Sequence, residues 1–159
     1  MKHPALFALC AALAVSGCQQ QAQQPADPSP EAKPGLALSE GRLVLPAVGG
    51  RPAAAYFTLS NGGPAPAVLA AVHVEGADKA EMHETKGGSM APLASLELKV
   101  GETVRFEPGG KHVMAFGLKP ELAAGGTSEM TLTFADGDKL SAPLKLEALG
   151  EAADHGGSH

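Results

Sequence analysis

Apolar and polar residues alternate along this chain in short runs. Glycine and proline interrupt the alternation about every ten residues, the rhythm of an all-β domain. Thr103-Val104-Arg105-Phe106-Glu107 and Met130-Thr131-Leu132-Thr133-Phe134 keep the period of two expected of half-buried strands. The same reading predicts strands over 41–46, 53–60, 67–74, 79–85, 96–100, 102–107, 111–118, 129–134 and 139–147. Breaks fall at Asn61-Gly62-Gly63-Pro64, Gly87-Gly88 and Pro108-Gly109-Gly110. Asp136-Gly137 between two alternating runs predicts a hairpin. Nothing after residue 35 has a long helical period, and 121–126 supports a brief turn at most. Eight or nine strands at this spacing predict a Greek-key β-sandwich or barrel. There is no internal repeat.

The ends of the chain follow other rules. Lys2 precedes an apolar run from Ala5 to Val15, the charge-then-apolar order of a secretory signal. That run is shorter than the roughly 20 residues needed to span a bilayer. Ala14-Val15-Ser16-Gly17-Cys18 resembles a bacterial lipobox, which implies cleavage after residue 17 and lipidation of Cys18. Cys10 then leaves with the signal, so the mature chain has neither a free thiol nor a disulfide. A multiply acylated cysteine holds a protein on a membrane without spanning it. Gln19 stands where an aspartate would direct inner-membrane retention, which leans towards the outer membrane if the cell is Gram-negative. Residues 18–35 are Gln-, Ala- and Pro-rich and too polar to build a core. As a flexible coil this tether would span ~20–25 Å. The expected organisation is a signal over 1–17, the lipidated tether over 18–35, one β domain over 36–148 and a polar His-containing tail over 149–159.

Composition narrows the function classes. The net charge is −5, and no Lys/Arg cluster marks a nucleic-acid surface. With no Trp and only Tyr56, the chain lacks a stacking platform for bases or sugars. No nucleophile elbow, phosphate loop or zinc-protease helix occurs. The chain reads as a non-enzyme.

His112-Val113-Met114 carries the most specific chemistry. Residues two apart on a strand share a face, so an imidazole and a thioether stand side by side. With His83 and Met90 upstream, the donors are two nitrogens and two sulfurs. Such donors suit Cu(I) and suit Mg²⁺ or Ca²⁺ poorly. Met90 is expected on a loop after Gly87-Gly88, and the four donors at one partly exposed end of the barrel. Met82 points opposite His83 and reads as core, as does Met130, while His73 reads as an ordinary histidine. Glu81 and Glu84 read as solvated charges. His155 and His159 are either a looser site for Cu(II) or two ordinary tail histidines.

Glu81-Met82-His83-Glu84-Thr85, Met90-Ala91-Pro92-Leu93, Pro108-Gly109-Gly110-Lys111-His112-Val113-Met114 and Gly117-Leu118 together resemble the PCuAC family of periplasmic copper chaperones. That family carries His-x10-Met-x21-His-x-Met. Here twenty-one residues separate Met90 from His112, but only six separate His83 from Met90. The shortening falls in the hairpin loop after Thr85. The resemblance covers about residues 36–146 and implies a cupredoxin-like fold and Cu(I) held by His83, Met90, His112 and Met114. It also implies copper delivery towards the CuA centre of cytochrome c oxidase. The receiver would be an oxidase subunit or another copper chaperone. The competing reading is an Ig-like structural or interaction lipoprotein without metal.

Overall fold

The computed structural model describes residues 34–150. The proposed signal, Cys18, nearly all of the tether and the tail histidines His155 and His159 lie outside the described residues. The described part is all-β. Its strands are β1 (Leu36–Leu45), β2 (Ala53–Asn61), β3 (Ala67–Val74), β4 (Ala77–Lys86), β5 (Ser89–Pro92), β6 (Leu96–Leu98), β7 (Thr103–Phe106), β8 (Lys111–Leu118), β9 (Thr127–Phe134) and β10 (Lys139–Ala148).

The strands form one hydrogen-bonded ladder in the order β5-β4-β8-β7-β2-β1-β10-β9-β3-β6, with β8 also touching β2. β1 lies near the middle, antiparallel to β2 and parallel to β10. Leu43, Leu59, Leu69, Val113, Leu132 and Leu144, all fully buried, come from both halves of the ladder into one core. The sheet therefore folds over itself as a sandwich. Phe57 and Phe106 stack inside with ring centroids 4.2 Å apart.

Alternation explains most of this. On β2 the pattern is strict: Ala53, Ala55, Phe57, Leu59 and Asn61 are buried, and the residues between them are half-buried. β1 departs from it. Its register shifts between Ser39 and Arg42, and Glu40 has φ +57°, the one positive φ outside glycine among the described residues. This bulge bends the strand and explains why the sequence pattern showed only its second half. Gly41 completes it, since a Cβ there would lie 2.8 Å from the Pro143 carbonyl oxygen.

The larger departure is β5, expected as a loop and observed as a tenth strand. Gly87 and Gly88 have φ of +57° and +81°. Positive φ at both central residues defines a tight two-residue hairpin turn whose twist matches the strands it joins. Lys86 consequently pairs with Ser89 and Thr85 with Met90. The short, proline-ended sequence of β5, exposed at all four residues, hides it, because an edge strand needs no buried face.

One buried polar side chain locks the closure. Asn61 Nδ2 donates to the carbonyls of Ala65 at 2.9 Å and Leu98 at 3.2 Å, and its Oδ1 accepts from the Gly63 amide at 3.0 Å. Asn61→Ala leaves these groups unpaired in the interior. Its expected cost is about 2–3 kcal/mol of unfolding free energy, measured by urea denaturation with an unchanged m-value.

Candidate metal centre

β4 and β8 run antiparallel with His83 directly opposite His112. The next pair on the same face, two residues along, is Glu81 opposite Met114. Met82 pairs with Val113 on the other face, inside the core, as alternation predicts. Core burial of Met82, Val113 and Ala115 thus forces His83, His112 and Met114 outward together. β5 then adds Met90 opposite Thr85, one pleat from His83 on that same face.

The site lies on the outer face of the β5-β4-β8 edge, with His83–His112 the last pair but one of the β4–β8 ladder. Despite facing outward, His83 and His112 are only 9% and 8% exposed, whereas Met90 is 55% exposed. The imidazole centroids are 5.9 Å apart, with ring planes inclined by 25°. Met114 is half-buried on their β4–β8 neighbour pair.

The hydrogen bonding fixes what each donor can do. His112 Nδ1 lies 3.0 Å from the Gly110 carbonyl oxygen, which can only accept. The proton therefore sits on Nδ1, and in the neutral ring Nε2 presents a lone pair. That lone pair meets the Met90 sulfur at 3.2 Å. An imidazole nitrogen and a thioether facing each other with no proton between them can together bind a soft cation. His83 is more unusual. Both of its ring nitrogens are buried without a hydrogen-bond partner. Glu81 Oε2 stands 3.6 Å from His83 Nε2, close enough for electrostatic attraction and too far for a hydrogen bond. Among the described residues no cluster of three His, Cys, Asp or Glu side chains is suited to a metal. The donor set that does converge is thus nitrogen and thioether, which favours Cu(I) over a hard ion.

Charged neighbours frame the site without filling it. Lys79 Nζ is 2.7 Å from Glu81 Oε1. Glu84 accepts from both Lys86 and Lys111 at 2.9 Å, the second tying β4 to β8. These lysines hold both carboxyls below the usual glutamate range. Sequence reasoning treated both glutamates as solvated charges and missed that Glu81 faces His83. The i, i+2 spacing on one strand was the available signal.

The fold and this face define a class, a cupredoxin-like β domain, and comparison with known proteins agrees. The profile of the family described as "Putative lipoprotein LpqE-like" matches residues 36–145. The chain belongs to that family. A relative from Leifsonia xyli subsp. xyli, "Putative lipoprotein Lxx21020", is 28% identical over 140 residues, covering 84% of this chain and 83% of its own. Among solved structures, the apo PmoF2 PCuAC domain superimposes with a TM-score of 0.64 at 22% identity, covering 76% of this chain and 95% of its own. That likeness is one of fold. The Cu(I) form of DR1885 from Deinococcus radiodurans gives a TM-score of 0.60 at 26% identity, over 74% of this chain and 81% of its own.

Depressed carboxyls carry a pH consequence. Their contribution to stability is present above the unfolded-state pKa and disappears as pH falls through the lower folded-state value. Glu84→Gln, which keeps the shape and removes the charge, should lower the melting temperature slightly in the neutral region and converge with the wild type at acid pH, so that the acid limb of a melting-temperature–pH profile is flatter. Thermal scans across the acidic range check this.

Proposed function

We propose that this chain is an envelope metallochaperone or buffer that holds one Cu(I) through His83, Met90, His112 and Met114 and passes it on by ligand exchange. The observation that carries this reading is the contact of His112 Nε2 with the Met90 sulfur, with the Nδ1 proton already committed to Gly110. The orphaned nitrogens of His83 beside it support the same reading. So does the copper-loaded state of DR1885, whose fold this chain shares.

The donor chemistry suits transfer. Two thioethers and two imidazoles add no negative charge, so the ion is held by softness rather than by charge pairing. Thioethers do not form the disulfides that would disable a thiolate site in an oxidising compartment. No cysteine lies between residues 19 and 159, so a blue-copper electron-transfer centre has no thiolate. Met90 is the ligand suited to yield first. It is exposed, on a four-residue edge strand, and an incoming donor reaches it from solvent.

The finer reading places the receiver towards the CuA centre of cytochrome c oxidase, either an oxidase subunit or another copper chaperone. Cys18 carries the lipid anchor after signal cleavage. Residues 18–35 give the domain reach above the membrane, and His155 and His159 supply a looser Cu(II) site. The role is non-enzymatic.

The domain should take up one Cu(I), and His112→Ala combined with Met114→Ala should abolish that stoichiometry. Met90→Ala alone should weaken affinity and retain binding. Because a ligand of the native state stabilises it, Cu(I) at a hundredfold excess over Kd should add about 2.7 kcal/mol, read as a raised Tm. Affinity should fall on acidification, as protons compete for both imidazoles. An unchanged Tm with Cu(I) in excess would instead favour a structural lipoprotein.

A further inference from the structure

Glu81 has a defined task in this arrangement. It precedes His83 by two residues on β4 and shares its outward face. Its oxygens are divided between two partners. Oε1 is 2.7 Å from Lys79 Nζ, and Oε2 is 3.6 Å from His83 Nε2. The Lys79 contact fixes one oxygen and so limits rotation of the carboxylate, leaving the other facing the imidazole.

The two histidines differ in how far they are prepared. His112 has its tautomer set by the Gly110 carbonyl. His83 is just as buried, and neither of its ring nitrogens has a hydrogen-bond partner. A buried imidazole N–H left unpaired is costly, so a short movement that pairs it is favoured. Ligating histidines generally donate their second ring N–H to a carboxylate or carbonyl, which orients the ring and raises its basicity. Gly110 does this for His112. For His83, the acceptor that stands nearest a ring nitrogen is Glu81 Oε2.

We infer that Glu81 is the positioning residue of His83: Oε2 accepts the Nε2–H bond and holds the ring in the tautomer whose Nδ1 lone pair is free for Cu(I). This rests on the copper reading above. No proton is transferred; the 3.6 Å contact shortens to hydrogen-bond length as the metal draws the ring into place. Glu81 also supplies a negative charge beside a neutral donor set, moderated by Lys79.

The experiment uses the full chain labelled with ¹⁵N, above about pH 8, where imidazole is neutral. Long-range ¹H–¹⁵N correlation reports each ring's tautomer without metal. In the wild type, His83 should carry its proton on Nε2. Glu81→Gln, which keeps an acceptor oxygen, should preserve that state, and Glu81→Ala should leave a mixture. His112 should stay protonated on Nδ1 in all three, as an internal control. Loaded with Cu(I), the wild type should show His83 coordinated through Nδ1. Competition against bicinchoninate should show affinity reduced about 10–100-fold in Glu81→Ala and largely restored in Glu81→Gln. Unchanged affinity in Glu81→Ala overturns the inference. Reduced affinity with an unchanged His83 tautomer overturns it too, as does coordination through Nε2. A wild type that binds no Cu(I) at all overturns the copper reading itself, which separates the two failures.

Discussion

The pairing of β4 with β8 is the constraint on which the site depends. The antiparallel register that sets Met82 against Val113 in the core also sets His83 against His112 on the opposite face. Side chains on a strand alternate, so a slip of β4 by one residue would put His83 into the core and Met82 into water. The free energy of burying Met82, Val113 and Ala115 therefore enforces a geometry in which those residues take no chemical part. The centre is a by-product of core packing, and its precision is inherited from the core.

β5 adds the exposed component. Two glycines at positive φ fold the chain back within two residues, so that Met90 lands near enough to reach His112 across β4. Both histidines are buried, the exposed methionine lies against His112, and the charged groups nearby are neutralised in pairs. The combination gives soft neutral donors fixed to the rigid sheet, with one donor on its edge. It suits an ion that must be both held and surrendered.

Much of this could be read from residue order. Alternation separated Met82 from His83 and joined His112 to Met114. The turn at Asp136-Gly137 appears as a three-residue hairpin loop, with Gly137 at φ +92°. The parts that could not be read have physical causes. β5, with four residues, is too short to show a period, although Gly87-Gly88 was a usable turn signal. The first half of β1 was hidden by its bulge at Glu40, where alternation fails. Asn61 looked like part of a turn, yet it is buried and bonded to three backbone groups that the fold alone brings together. The depth of His83 and His112 was equally invisible, because it depends on the pairing of β4, β5 and β8.

X-ray absorption at the copper edge of the Cu(I)-loaded domain bears most directly on the four converging donors. The account predicts two nitrogen and two sulfur neighbours, with one sulfur lost in Met90→Ala. A first shell of nitrogen and oxygen without sulfur would contradict it.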